Sequence, residues 1–393
     1  FTSLAAATLT AILVQAGKGY YNFELALYAE GVFLQIGSWL VLMAGFAFLM
    51  QVFFNQKFVG FLGVLVWFVL MRILPAIDWE HRLYRFASVP PNQYSDMNGF
   101  GHFTRPLLWF NAYWMLLVAA LLVVGHLLWT RGTESGFRQR LSIARQRFAK
   151  PVVATLILFF IAFAGTGCYI YYNTNVLNTY RTTKQIEKAQ AEFEKKYKRF
   201  ENLPQPRITD VQADVEIHPE RRSVDIRGSY TLVNKTNAPI AELHILADRE
   251  LDRVEVKIPG AKMKSDDSAL GYWTYTLTPP MAPGATLLMT FHTSWAENGF
   301  VNGTSNVRVV ENGTFVNNGE MFPHIGYSEE FELQDRNKRR KYGLKPVERA
   351  RPATDMQARM DNAISRESDW INLDTTVSTS ADQIALAPGY LQR

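Results

Sequence analysis

The residues of this chain that could do chemistry are histidines, carboxylates and one cysteine, and their spacing does not form a complete catalytic centre. The seven histidines are scattered, with His81 and His102 in one polar segment and His126 inside an apolar run. No H-E-x-x-H sequence occurs, so the helix-borne pair of zinc-binding imidazoles with an adjacent general base is absent. A loop metal site built from His81, His102 and Glu80 is one hypothesis, but loop histidines of this kind are more often polar surface groups.

Two further catalytic motifs are missing from the sequence. The phosphate-cradling G-x-x-x-x-G-K-S/T loop and the G-x-S-x-G nucleophile elbow do not occur. Cys168, the only cysteine, lies inside an apolar run, so an internal disulfide cannot stabilise the rest of the chain. We therefore predict no catalytic residue, no metal and no cofactor within these 393 residues.

Apolar runs long enough to cross a bilayer dominate residues 1–172, since roughly 20 mostly apolar residues span the hydrocarbon core. Four runs meet this length and a fifth is shorter: 31–54, 58–74, 107–129, 151–171 and 4–16. We predict a helical transmembrane region of about five spans. Because the chain starts with Phe1, close to the first apolar run, we expect it to be a fragment of a longer polypeptide.

The loops between these runs differ in charge. Residues 75–106 balance acids and bases, whereas residues 131–150 carry one acid, Glu134, against Arg138, Arg140, Arg145 and Arg147. Because short cytoplasmic loops are enriched in Lys and Arg, we expect 131–150 to be cytoplasmic and residues 173–393 to be extracytoplasmic. This topology also explains the net charge of +5, so the basic residues do not predict nucleic-acid binding.

Residues 173–206 have the pattern of a helical linker. Its apolar residues recur at three and four positions: Ile186, Ala189, Phe193, Tyr197 and Phe200. Its charged residues are spaced for ion pairs along the helix surface, as in Glu192–Lys196 and Glu194–Lys198. The pattern favours a spacer that packs against the following domain or stands off the bilayer. A lipid-binding or partner-binding helix is the alternative, which the alternation of acids and bases disfavours.

From residue 208 the hydrophobic period changes to two, which predicts β-strands. A hairpin is predicted over 211–232, and further strands over 243–247, 254–258, 272–277, 287–295 and 370–378. The charged, aperiodic residues 335–354 predict an exposed loop. The fold class is therefore multi-domain, with an α-helical transmembrane bundle followed by an all-β antiparallel sandwich or saddle domain over 207–393.

Four segments of this second half follow one another over residues 207–327: VQADVEIHPERRSVDIRGSYTLVN, APIAELHILAD, LTPPMAPGATLLMTFHTSW and MFPHIGY. Together they resemble the N-terminal saddle domain of the aminopeptidase N family of zinc metallopeptidases. In that family a strand, a D/H-P-E turn and a strand with G-x-x-x-L-x-N open the domain. With its preceding spans, the chain is similar to bacterial fusion proteins that join an ABC transporter permease to such an aminopeptidase.

The resemblance implies that zinc belongs to a catalytic domain following the saddle, which carries H-E-x-x-H and a downstream Glu ligand. Nothing in these residues matches that domain, so no catalytic residue is carried over. Family members often supply a Gln to the substrate amine shortly before an F-P segment; here Glu320 stands in that stretch and is the candidate for contacting the amine by charge. Four residues match the family segment as structural residues: Phe322, Pro323, Gly326 and Tyr327.

Three functions remain open from the sequence. The first is the membrane-tethering and saddle part of a zinc aminopeptidase in the bacterial inner membrane. Its partner would be the lipid bilayer, and the peptide substrate would bind through the missing catalytic domain. The second is an ABC transporter permease subunit with a non-catalytic extracytoplasmic binding domain, in which the 131–150 loop contacts an ATPase subunit. The third is a non-enzymatic module that displays its β domain to peptides or proteins.

Overall fold

The computed structural model describes residues 1–129, 136–347, 351–356, 358–360 and 366–392. Glu134, the acid of the predicted cytoplasmic loop, lies outside these residues. The chain divides into two compact units. The helical unit comprises Phe1–Thr182 and Asn298–Ser305, and the β unit comprises Thr183–Glu297 and Asn306–Arg393.

Apolar helices make up most of the helical unit. In chain order they are α1 (Thr2–Gly17), α2 (Leu25–Phe54), α3 (Lys57–Ile77), α4 (Gly101–Leu128), α5 (Phe137–Gln146) and α6 (Lys150–Leu177). Among the described residues, α2, α3, α4 and α6 are long and apolar enough to cross a membrane, which confirms the four long predicted spans. Most of their side chains point away from the protein, so a lipid environment suits them and the chain is membrane-associated.

The core of the helical unit includes a segment that is distant in sequence. Phe300 is fully buried beside Phe110 of α4, with 6.4 Å between the ring centroids. The Asn178 side-chain amide donates to the carbonyls of Asn298, at 2.6 Å, and of Phe300, at 3.3 Å. Arg82 holds the same segment, because its Nε donates to the Asn302 carbonyl at 2.7 Å. Residues 298–305 are therefore a strap of the helical unit, although the chain on both sides of them belongs to the β unit.

Two sheets form the β unit. The strands are β1 (Arg207–His218), β2 (Ser223–Val233), β3 (Ile240–Leu246), β4 (Arg253–Lys257), β5 (Ala261–Asp267), β6 (Tyr272–Met281), β7 (Thr286–Ala296), β8 (His324–Ile325) and β9 (Ser368–Ser378). One sheet has the order β4-β7-β2-β1-β9 and the other β5-β6-β3-β8. This confirms the predicted fold class, with one difference: β9 pairs with β1 in parallel. The polar strand β5 lacks an apolar alternation and was not predicted.

The alternating residues of the hairpin supply the core of this unit. Val211, Ala213 and Val215 of β1 are buried, and the residues between them are exposed. Ile226, Tyr230 and Leu232 of β2 continue the same buried layer. Because successive side chains of a strand point to opposite faces, this pattern determines which face of the sheet meets the other sheet.

The predicted linker helix is α7 (Thr183–Tyr197), and it packs on the β unit as the spacer interpretation allowed. The Tyr197 ring stacks on Tyr272 at 3.9 Å between centroids, and Phe193 stacks on Tyr327 at 5.3 Å. Ile186, in contrast, is 43% exposed, so the buried face is narrower than the apolar pattern indicated.

The predicted ion pairs along α7 are wrong. Glu194 instead forms a two-pronged pair with the buried Arg339, at 2.6 and 2.8 Å, and Lys198 pairs with the buried Glu332 at 2.8 Å. Lys196 pairs with Asp267 at 2.5 Å. A buried carboxylate needs a hydrogen-bonded cationic partner, whereas a surface pair of neighbouring residues contributes little, so the tertiary partners prevail.

Arg339 also corrects the prediction of an exposed loop over 335–354. It lies on a short helix, Arg336–Lys341, that begins at Asp335, whose carboxylate accepts from the Lys338 N–H at 2.8 Å. The Arg339 guanidinium donates to the carbonyls of Leu333 and Lys345, both at 2.7 Å. A single buried arginine therefore orders part of a segment that shows no hydrophobic period.

Replacing Glu194 by alanine should release α7 from the β unit. Breaking a buried pair by removing one partner costs about 3–5 kcal/mol, because the other charge stays buried. We expect amide protection of α7 against hydrogen exchange to fall about a hundredfold or more in the full chain held in lipid nanodiscs. The matched control is Glu192→Ala, which removes an exposed pair with Lys188 at 3.6 Å and should change protection little. Equal losses in both variants would contradict this role of Glu194.

Candidate functional site

Glu320 lies on a single helical turn, Asn318–Met321, at the edge of the β unit. The Asn317 side-chain oxygen accepts from the Gly319 N–H at 3.0 Å and starts this turn. Met321, at its other end, is buried in the core between the sheets. The turn therefore presents the Glu320 carboxylate, which is 45% exposed, on a rigidly held backbone.

Arg308, a mostly buried arginine, organises the charges around Glu320. Arg308 donates from Nε to the Glu320 carboxylate at 2.7 Å, and from Nη2 to Asp248 at 2.5 Å. A third carboxylate, Glu250, lies 3.3 Å from Nη1. Three carboxylates thus surround one guanidinium, which leaves about two negative charges in excess at a partly exposed surface. The arrangement suits the attraction of a cationic group such as an ammonium.

His324 ties this turn to the start of β9. Its Nε2 lies 2.7 Å from the Gly319 carbonyl, and its Nδ1 lies 2.8 Å from a Glu367 carboxylate oxygen. Both neighbours are acceptors, so both ring nitrogens must donate, and the imidazolium is the form that satisfies them. The backbone of Glu367 also pairs with β1, through the Ile208 N–H at 2.9 Å.

The environment of His324 determines its protonation. Burial alone would lower the pKa, but the hydrogen bond to Glu367 and its negative charge, together with the Gly319 carbonyl, outweigh burial and raise the pKa to about 9. His244 shows the opposite case on β3. Burial lowers its pKa to about 4, and the Tyr272 hydroxyl lies 3.0 Å from its Nδ1.

The four residues that match the family segment occupy structural positions near Glu320. Phe322 packs on Phe291, with 5.3 Å between centroids, and the Pro323 carbonyl accepts from the buried Tyr230 hydroxyl at 3.1 Å. Gly326 has a φ of +90° and donates to the His244 carbonyl at 2.8 Å. The Tyr327 hydroxyl donates to Glu332 at 2.8 Å. These contacts suit a structural role for all four residues.

Large apolar side chains lie exposed beyond Glu367. Trp370 on β9 is 97% exposed, and Ile371 and Leu373 are also exposed on this edge strand. Four apolar residues of the following segment share this property: Ile384, Leu386, Tyr390 and Leu391. An edge strand with such side chains is a surface suited to cover by another protein surface.

The loop metal site is not formed. His81 is buried and its Nε2 lies 3.2 Å from the Thr174 hydroxyl and 3.0 Å from the Asn175 side-chain oxygen, while Nδ1 accepts from the Leu83 N–H at 3.2 Å. Burial lowers the pKa of His81, which favours this neutral, hydrogen-bonded ring. Within the described ranges, no three His, Cys, Asp or Glu side chains are placed to hold a metal ion.

Sequence reasoning singled out Glu320 but missed the residues that position it. Arg308 and Asp248 do not belong to a recognisable sequence motif. Their contact depends on how the chain between β3 and Glu320 folds. His324 lies inside the quoted MFPHIGY segment, and this was the one available signal. Glu367 lies next to the last predicted strand and gave no signal of its own.

Comparisons with known proteins add a limited finding. No family model and no curated protein matches the chain. Among solved structures, an M1 zinc metallopeptidase from Deinococcus radiodurans is 12% identical, with a TM-score of 0.20, over 23% of this chain and 20% of that chain. A mutant of this enzyme bound to a Tyr-Ser-Ala substrate gives the same identity and TM-score, over 21% of that chain. The chain thus spans about a fifth of the length of these structures.

The charge on His324 should make the β unit less stable at alkaline pH. Because the pKa is raised from 6.5 to about 9, the stabilisation is complete below pH 6.5 and is lost as the pH rises through 9. The shift corresponds to a loss on the order of 3 kcal/mol, and we expect the calorimetric midpoint of the full chain in detergent to fall by roughly 6–12 °C.

The variant His324→Asn should be less stable at pH 6.5 and should lose most of this pH dependence. The matched control is His218→Asn, at the exposed β1–β2 turn, which should keep the wild-type profile. A midpoint that falls equally with pH in His324→Asn and in the wild type would show that another group causes it.

Proposed function

We propose that this chain is the membrane-tethering and N-terminal saddle part of a zinc aminopeptidase, in which another domain carries out peptide hydrolysis. The described residues do not offer a zinc site, so the metal and the general base would belong to that other domain. Side chains of this chain would bind the N-terminal end of the peptide substrate and form one side of the active site. The unit that carries Glu320 would lie outside the cytoplasm, anchored by the four spanning helices in a bacterial inner membrane.

The observation that carries this proposal is the position of Glu320. Its half-exposed carboxylate has an excess of negative charge around it, and His324 links its turn to Glu367 at the start of the exposed strand β9. The Glu320 carboxylate, which attracts cations, is thus linked to strand β9, the exposed edge that another domain would cover. Residues 322–327 belong to one of the segments that resemble the aminopeptidase N family. They follow Glu320 and contain His324, which links the Glu320 turn to Glu367.

The substrate feature that this site would bind is a free N-terminal ammonium. Two opposite charges 4 Å apart attract by about 1 kcal/mol in water and about 4 kcal/mol near a protein surface. Arg308 would set the strength of this attraction, because it neutralises part of the charge on Glu320 and holds the carboxylate in place. Glu320 is in this proposal a binding group, with no role in proton transfer.

The first test is to read the coding region that follows the codon for Arg393. We expect H-E-x-x-H with a Glu ligand downstream, and zinc-dependent release of the first residue from an aminoacyl p-nitroanilide by the full-length product. A stop codon or a domain without these ligands would overturn the aminopeptidase. It would leave a permease subunit with a displayed binding domain.

The second test concerns Glu320 in that full-length product. Glu320→Gln should raise the KM for substrates with a free amine about five- to thirtyfold, with kcat changed less than about twofold, since 1–2 kcal/mol of ground-state binding is removed. The exposed Glu311→Gln is the matched control and should leave both constants unchanged. An unaltered KM in an active enzyme would remove Glu320 from the site without removing the proposed activity.

A further inference from the structure

The short helix α5 is attached to the ends of two spanning helices by one buried arginine. Arg140 is 2% exposed, and its guanidinium donates to the carbonyls of Leu128 at 3.0 and 3.1 Å, of Phe53 at 3.2 Å, and of Val52. Leu128 ends α4, and Phe53 is next to the last residue of α2. The last carbonyls of a helix lack partners within the helix and carry partial negative charge, so the guanidinium caps both helices at once.

Arg147 extends this attachment just past α5. Its Nη1 donates to the Trp129 carbonyl at 2.6 Å and lies 3.4 Å from that of Leu127. Like Arg140, Arg147 thus directs its charge to carbonyls at the ends of the spanning helices. The attachment places α5 where the apolar spans end, which is the depth of the membrane interface.

One side of α5 is apolar and exposed at that depth. Phe137 is 50% exposed, Leu141 41%, and Phe148, just beyond the helix, 53%. At about 100° per residue, Phe137 and Leu141 of the helix fall about 40° apart. Arg140 and Ala144, on the adjoining side, are buried against the protein. The exposed stripe thus lies beside the face by which α5 is attached.

Two further arginines border the apolar stripe on its other side. Arg138 and Arg145 fall about 80–100° around the helix from Phe137. Both are exposed, and neither has a hydrogen bond or ion pair with any residue that the structure describes. Residues 136–150 contain no Asp or Glu. The planar guanidinium matches the oxygens of a phosphate group in two-pronged hydrogen bonds.

We propose that α5 is an interfacial helix that binds the headgroups of anionic phospholipids. Phe137 and Leu141 would enter the boundary between headgroups and acyl chains, and Arg138 and Arg145 would bind lipid phosphates beside them. Adjacent apolar and basic stripes at the ends of spans are the arrangement of a helix lying in the membrane plane, and each basic residue there contributes about 1 kcal/mol of attraction to an anionic surface. A soluble acidic partner would not require the apolar stripe.

The test is a titration of the detergent-solubilised full chain with phosphatidylglycerol or phosphatidylcholine, followed by native mass spectrometry. The double variant Arg138→Ala/Arg145→Ala should lose about ten- to thirtyfold in affinity for phosphatidylglycerol, with the weaker binding of phosphatidylcholine unchanged. The matched control, Lys188→Ala/Lys195→Ala, removes the same charge from exposed positions of α7 and should bind like the wild type. Equal affinity in the double variant and the wild type would overturn the proposal.

A second variant separates a lipid from other phosphates and from a protein. Phe137→Gln/Leu141→Gln keeps every charge, and we expect it to lose affinity for phosphatidylglycerol by at least threefold. Unchanged lipid affinity in this variant, together with competition by millimolar inorganic phosphate, would identify a phosphate site and overturn lipid binding. If the arginine variant instead lost a copurifying ATPase subunit and kept its lipid affinity, the surface would be a protein interface and the proposal would fail.

Discussion

The candidate site depends on one mostly buried charge, the imidazolium of His324. A ring placed between the Glu367 carboxylate and the Gly319 carbonyl can satisfy both only when it carries two protons. Through these two bonds the ring holds the Glu320 turn on one side and the start of β9 on the other. Burial works against that charge, and the Glu367 carboxylate compensates for it.

Arginines that are buried or partly buried hold other parts of the chain together. Arg140 caps α2 and α4, Arg82 holds the strap through Asn302, and Arg339 joins α7 to the segment after Phe331. In each case the guanidinium donates to backbone carbonyls, besides any carboxylate that it meets. A flat group with five donors can satisfy several acceptors that point in different directions. This explains why segments without a hydrophobic period are nevertheless ordered.

The two units face different solvents, and their side chains follow different rules. In the helical unit most apolar side chains point outward, because lipid is as apolar as they are, and the buried positions include polar residues such as His81 and Thr174. In the β unit the apolar residues of the strands alternate and point inward, and the buried polar groups include ion pairs such as Glu194–Arg339. The chain passes between the two units at Thr183 and again around the strap, so both sets of rules apply within one polypeptide.

The spans and the hairpin were predictable because their signals are local. Runs such as 107–129 need only length and apolarity, and Val211 to Val215 need only a period of two. Strand β5 and the helix that begins at Arg336 were missed because their residues are polar. The neighbouring sequence does not identify the tertiary partner of a polar side chain. The pairs Glu192–Lys196 and Glu194–Lys198 were wrong for the same reason. The sequence by itself determined which runs are apolar enough to meet lipid and which alternating segments form strands. Only the tertiary structure decided the partners of Glu194, Glu320, His324 and Arg140, because a charged side chain pairs with what lies near it in space and not in sequence.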